Sequence, residues 1–318
     1  MTATTLSRPA ILTGVAVGVI AVSTSAILAR VAMGEDPGVT QATTPGGAPA
    51  LAVAFWRTTL GALVLAPLGW RAARRDRVRP TAQEHRRLAI AGLALGAHFA
   101  GFQAALALTT VASAVTLTTI APIFVALGGW WLLKERSSRR TWVGMGLTIA
   151  GAVAIGAGDL TGHELGPQAL LGDAAALGAA ITVAGYLLIG RVARRRIPAT
   201  TYSAMVFAWA GAFLLPVCLL TGTPLGGFAP LAWVAVLGIV IGPQLLGHTV
   251  FNALLSSVSA TTVAIIVLSE PVGAGILAWL VLGELPAGGF WLGAPLVLAG
   301  VAVALIQRRS PAVAPPPG

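Results

Sequence analysis

Charge is what this sequence has least of. Asp, Glu, Lys and Arg make up 9% of its 318 residues, against about 25% in a soluble globular domain. Hydrophobic residues make up 56%, and 39 glycines come in addition. A water-soluble fold with so few charges could not cover its surface. The composition therefore excludes a soluble enzyme, a nucleic-acid binder and a disordered chain, despite a net charge of +10. Cysteine is nearly absent as well: Cys218 stands alone, which excludes an intramolecular disulfide and any cysteine-based metal site. Lysine is reduced to Lys134, and the preference for Arg, Ala and Gly fits a GC-rich bacterial gene. The class that remains is an integral membrane protein.

A helix that crosses the hydrocarbon core needs about 20 mostly apolar residues. Ten stretches meet that need, at 10–31, 50–70, 88–108, 112–133, 141–157, 169–190, 201–221, 233–255, 261–282 and 289–307. The first follows Arg8 and could pass for a signal peptide, but it is longer than the apolar core of one, so it reads as a retained helix.

The basic residues give the orientation, since short cytoplasmic loops carry the Lys/Arg excess. With the N-terminus inside, every basic residue except Arg30 and Arg57 falls in a cytoplasmic segment, while Glu35, Asp36, Asp159 and Glu164 fall outside. Both termini are then cytoplasmic, and the positive charge is a topology signal that needs no nucleic acid. Trp70, Trp130, Trp131, Trp142, Trp233, Trp279 and Trp291 lie near span ends, as lipid-anchoring aromatics do. The Gly/Pro/Thr-rich segment 34–49 reads as a disordered outer loop. The Pro-rich stretch 308–318 reads as a disordered cytoplasmic tail.

The chain repeats itself. At an offset of 149 residues Phe102 aligns with Phe251, Pro122 with Pro271, Trp130 with Trp279, Glu135 with Glu284, Trp142 with Trp291, Gly144 with Gly293 and Gly151 with Gly300. At an offset of 161, Arg30 falls on Arg191. The repeating unit has five helices, an odd number, so the second copy must enter the membrane from the opposite side. This predicts an all-α integral membrane protein of ten transmembrane helices arranged as two inverted five-helix repeats. The first spans 10–157, an outer linker 158–168, and the second 169–307. Inverted repeats of this kind are the architecture of many secondary transporters.

The stretches LALTTVASAVTLTTIAPIFVALGGWWLLKERSSRRTWVGMGLTIAGAVAI and PQLLGHTVFNALLSSVSATTVAIIVLSEPVGAGILAWLVLGELPAGGFWLGAPLVLAGVAVAL, with FWR at 55–57 and GD at 172–173, resemble the two EamA domains of the drug/metabolite transporter superfamily. The resemblance covers about residues 10–307. It implies a ten-helix bundle around a central cavity, residence in a bacterial inner membrane, and movement of small solutes, often outward. The first copy departs from the family pattern at Lys134–Arg136, where KER stands in place of the GE found at Gly283 and Glu284.

Glu270 is the most informative side chain, a carboxylate about nine residues into a span and so near the bilayer midplane. Such a group should face a cavity or a partner, as a proton carrier or substrate ligand, or else as a structural acid. Pro271 beside it, and Pro122 in the first copy, should bend their helices and free backbone carbonyls. Arg57, about 10 Å below the outer end of its span, is either the partner of Glu270 or a fork for a substrate carboxylate. His98 and His248 lie at nearly equivalent places in the two copies, followed by the aligned amides Gln103 and Asn252. Gln244 and Tyr186 are further cavity candidates. Neutral groups of these kinds also serve as interhelical hydrogen-bonding residues. Position 121 is Ala where the second copy has Glu270, so any ion coupling should centre on the second copy.

The expected partners are a small-molecule substrate, the lipid bilayer and, if transport is coupled, protons; no cofactor and no metal is called for. Three functions compete. The first is export of amino acids or related small metabolites by alternating access, with drugs or other small metabolites as alternative cargo. The second is a membrane-embedded lipid-processing enzyme, which would need paired acids where this chain has isolated ones. The third is a membrane scaffold, for which the polar midplane residues and the inverted repeat would have no use. No nucleotide-binding loop occurs, so direct ATP drive has no seat in this chain.

Overall fold

A computed structural model describes residues 6–34, 46–108, 114, 117–157, 167–282, 285 and 288–306 of the chain. The described residues fold into ten helical rods without a strand. We number them α1 (Arg8–Ser23 and, past a turn at Thr24, Ser25–Met33), α2 (Ala50–Arg75), α3 (Ala82–Leu108), α4 (Ala121–Leu133) and α5 (Arg139–Ala157). The second set is α6 (Pro167–Ala193), α7 (Ala199–Leu220), α8 (Pro230–Leu254), α9 (Ala260–Val267 and Glu270–Leu282) and α10 (Gly288–Leu305). Eight of these are long and apolar enough, among the described residues, to cross a membrane. The expected linker 158–168 and tail 308–318 lie almost wholly outside the described residues.

Local chemistry sets the helix ends. Ser7 caps α1 by accepting from the Ala10 N–H, and Ser259 caps α9 by accepting from the Thr262 N–H. Thr81 and Glu84 cap α3 reciprocally: the carboxylate takes the Thr81 N–H at 2.7 Å and the hydroxyl takes the Glu84 N–H at 3.3 Å. At the end of α4, Lys134 adopts the left-handed conformation with φ +57°, and the Glu135 N–H closes back on the Gly129 carbonyl at 3.0 Å. That is a glycine's conformation, which explains the departure from the GE pattern: the backbone turn is kept and a lysine bears its strain.

The arginine-rich turns meet at one end of the bundle. There the Leu6 N–H reaches Ser257 Oγ at 2.7 Å, Arg196 pairs with Glu84, and the Arg140 guanidinium reaches the Ile306 carbonyl at 3.5 Å. At the other end the Ala48 N–H donates to Ala32 and the Ala229 N–H to Gly46. These bonds tie down Gly46–Pro49, correcting the expectation of disorder across 34–49; residues 35–45 lie outside the described set. Trp233 is half-buried and packs between Trp56 and Phe228, with ring centroids 5.3 Å from each. Trp70, Trp130, Trp131, Trp142, Trp279 and Trp291 are exposed, as lipid-facing rings should be.

The packing relates the two copies. The most extensive interfaces are α5 with α10, α3 with α6, and α2 with α7. Swapping the copies turns α5–α10 and α2–α7 into themselves, and α3–α6 into α1–α8, which also pack together. Glycines fix the first interface. A Cβ at Gly144 would stand 2.6 Å from the Gly300 carbonyl oxygen, and one at Gly151 would stand 2.6 Å from that of Gly293. Small residues let the two backbones touch, which is how helices associate where lipid offers no hydrophobic drive. Gly144 is the repeat-mate of Gly293 and Gly151 that of Gly300, so the contacts are crossed and the two helices run antiparallel.

The spans expected at 112–133 and 261–282 are not continuous. Each is broken at a repeat-related pair, Thr119–Ile120 and Leu268–Ser269, and resumes as Ala121–Leu133 and Glu270–Leu282. Pro122 and Pro271 sit in the first turn after the break, where a missing N–H costs nothing because first-turn N–H groups have no intrahelical partner. The prolines thus restart their helices after an interruption.

Candidate functional site

The FWR triplet sends three successive side chains in three directions, since each helical residue turns by about 100°. Phe55 enters the core. The Trp56 indole N–H donates to the Leu225 carbonyl at 2.9 Å. Arg57, only 6% exposed, points into the bundle. Its Nε donates to Gln244 Oε1 at 2.9 Å, and its guanidinium carbon lies 4.1 Å from the centroid of the Phe99 ring. Face-on stacking of this kind holds a desolvated cation without consuming its remaining donors.

Phe99 organises the histidines. His248 meets it edge to face at 5.5 Å, and His98 lies 5.3 Å away, stacked in turn on Phe102 at 6.4 Å. His98 Nδ1 is 3.0 Å from the Ala179 carbonyl, which can only accept, so that nitrogen carries a proton and donates it.

Gln244 is brought to Arg57 by an irregular stretch of α8. Val240–His248 is a π-helix with Pro243 inside it. The wider turn makes room for the proline ring, and such segments occur often at functional sites. The Gln244 amide nitrogen is fully buried and has no partner among the described residues, and neither has the Gln103 amide oxygen in α3. Unpaired amide atoms are costly in a low-dielectric interior. A solute's polar groups would satisfy them.

Glu270 opens the second piece of α9. Its carboxylate is half-buried and makes no hydrogen bond and no ion pair within 4.0 Å among the described residues; the charge that acts on it is Arg57. Its backbone carbonyl, at the break, is approached by Ser23 Oγ from α1 at 3.4 Å. Arg57 and Gln244, both buried, and the half-buried His98, His248 and Glu270 thus form one interior polar group drawn from α2, α3, α8 and α9, in which a guanidinium and a carboxyl group are both present without a direct ion pair.

Tyr186 and Asn252 stand apart, nearer the arginine-rich end. The Tyr186 hydroxyl donates to Asn252 Oδ1, Asn252 Nδ2 donates to Ser203 Oγ at 2.9 Å, and Arg194 Nε donates to the Asn252 carbonyl at 2.9 Å. Both amide atoms of Asn252 are spent within the protein. Pro122 is buried in the first turn of α4, the position that Pro271 holds in the second piece of α9. Among the described residues no group of three His, Cys, Asp or Glu could hold a metal ion. A groove of about 620 Å³ runs between α2 and α7, but its lining from Phe55 to Ala73 and from Thr201 to Leu215 is nearly all apolar and includes none of the polar group. Sequence reasoning passed over Phe99, on which the cation and both histidines converge. Its only advance signal was its place one residue after His98.

A bundle of paired, antiparallel repeats with a buried polar group at broken helices defines a multi-pass membrane transporter rather than an enzyme. The chain belongs to the EamA-like transporter family, whose model matches it twice, over residues 10–157 and 170–306. It is 28% identical over 252 residues to an uncharacterized transporter of Archaeoglobus fulgidus, covering 78% of this chain and 85% of that one. It is 27% identical over 208 residues to the uncharacterized transporter YetK of Bacillus subtilis, covering 64% of this chain and 62% of the relative, so the match spans about three-fifths of that protein. A solved crystal structure shares the fold, with a TM-score of 0.75 at 19% identity over 94% of this chain and 97% of the other.

Proposed function

We propose that the protein is a secondary exporter of amino acids or closely related small metabolites, working by alternating access across a bacterial inner membrane with both termini in the cytoplasm. The observation that carries the reading is the coexistence of buried Arg57 and half-buried Glu270 in one interior polar group without an ion pair between them. A zwitterion offers a carboxylate for the guanidinium and an ammonium for the carboxylate, and the unpaired Gln244 and Gln103 amides supply further hydrogen bonds. Because Glu270 has no fixed partner within 4.0 Å among the described residues, its carboxyl group can exchange a proton for cargo, which is the chemistry coupled export needs.

The two copies, 10–157 and 169–307, supply the means. Each holds one broken helix, so exchanging the conformations of the halves would move the opening from one face to the other. The test is flux from purified protein in liposomes loaded with a panel of labelled amino acids, with and without an imposed pH gradient. Release of some members above empty liposomes, faster with the gradient, is the expected result. No release of any member from folded protein would overturn the amino-acid reading, and release indifferent to the gradient would overturn proton coupling.

A further inference from the structure

The arginine-rich end holds a carboxylate, Glu135, that belongs to no part of the polar group described above. Glu135 follows the left-handed turn at the end of α4, and its Oε1 accepts from Arg191 Nε at 3.2 Å and from Arg195 Nη2 at 3.2 Å. Arg191 is engaged on its other branch as well: Nη1 donates at 2.7 Å to the carbonyl of Leu255, the residue that ends α8. One guanidinium therefore ties together the ends of α4, α6 and α8, which come from both halves of the chain. The Arg191 and Glu135 side chains are 19% and 28% exposed, so water screens the pair only in part, whereas Arg195 at 59% is largely solvated.

The place of this contact gives it meaning. α8 carries Gln244 and His248, and α6 carries the carbonyl that holds His98. α6 and α8 thus each carry part of the polar group and are joined near their ends by the bond from Arg191 to Leu255. The sequence has the same two residue types again at repeat-related positions, Arg30 and Glu284, the second outside the described residues.

We propose that the Arg191–Glu135 pair, seated on the Leu255 carbonyl, is the lock that holds the arginine-rich end shut, and that each transport cycle breaks it. This rests on the alternating-access reading above, but its test needs no substrate. Leu255 is fully buried beneath the lock, so a Leu255→Cys reporter in a Cys218→Ala background should react slowly with a charged thiol reagent in lipid nanodiscs. Glu135→Gln and Arg191→Gln should each speed that reaction about fivefold, the population change that a partly screened ion pair can control. The double variant should be no faster than Arg191→Gln alone, because that change already removes the ion pair together with the Leu255 contact. Arg191→Lys should fall between.

A second reporter, Ile239→Cys, lies buried toward the opposite end and should not accelerate. Equal acceleration at both reporters would mean general loosening and would overturn the lock, as would no acceleration at Leu255 or strictly additive effects. Flux in liposomes judges the transport reading separately, so a locked protein that moves no panel solute and an unlocked one that does are distinguishable results.

Discussion

The two halves of the chain share a backbone and divide the chemistry. Both break their fourth helix at the same repeat position, both restart it with a proline in the first turn, and both contribute glycines to the α5–α10 interface. At the restart, however, the first half has Ala121 and the second has Glu270. The first half supplies the cation instead, as Arg57 on α2, stacked on its own Phe99. The comparison teaches that the features which let the halves move are duplicated, while those that contact charge are each present once. Cargo bound between Arg57 and Glu270 would meet one half at each end.

That division can be broken from either side. The largest effect should come from the shared part: Gly151→Leu forces a side chain into the Gly293 carbonyl, and we expect no monodisperse folded protein by size-exclusion chromatography in detergent. Next come the unshared charges. Glu270→Gln should cut pH-gradient-driven flux about a hundredfold or more while leaving the protein folded and solute exchange at least partly intact; equal gradient-driven flux in variant and wild type would remove Glu270 as the proton carrier. Ala121→Glu would make the halves alike by placing a second acid in a site built for alanine, where only 7% of the residue is exposed. It should cost about 2.5–3.5 kcal/mol, read as a lowered unfolding midpoint. The smallest effect sharpens the comparison at the helix ends: Lys134→Gly gives the first half the residue that the second has at Gly283, and relief of the φ +57° strain should raise stability by about 0.5–1 kcal/mol.

What could be read in advance follows from where the signal lies. Apolar runs near 20 residues announce their helices because the bilayer allows little else, and a carboxylate or guanidinium within such a run is conspicuous, so Arg57 and Glu270 stood out. The helix breaks at Thr119–Ile120 and Leu268–Ser269 were read instead as bends at Pro122 and Pro271, because a proline marks a disturbance without saying whether the chain kinks or stops. The π-helical stretch of α8 was invisible for a related reason. Nothing in VIGPQLLGH distinguishes a widened turn from an ordinary one, yet that turn decides that Gln244 reaches Arg57. Phe99 was hidden by its chemistry, since one more phenylalanine in an apolar span looks like core. The basic residues were read for topology alone, and the use of Arg191 could emerge only once α4, α6 and α8 were seen to end side by side.

The crossed glycine contacts carry a consequence for the history of the chain. Gly144 meets Gly300 and Gly151 meets Gly293, and exchanging the halves turns each contact into the other. The glycines at its centre are common to both copies, while their neighbours differ, Thr148 against Val297 and Ile155 against Ala304. A single five-helix ancestor, inserted in both orientations, could have met its own upside-down twin through the same two glycines. Joining the two genes would then have preserved an existing dimer seam within one polypeptide and left Glu270 and Arg57 free to diverge on either side of it.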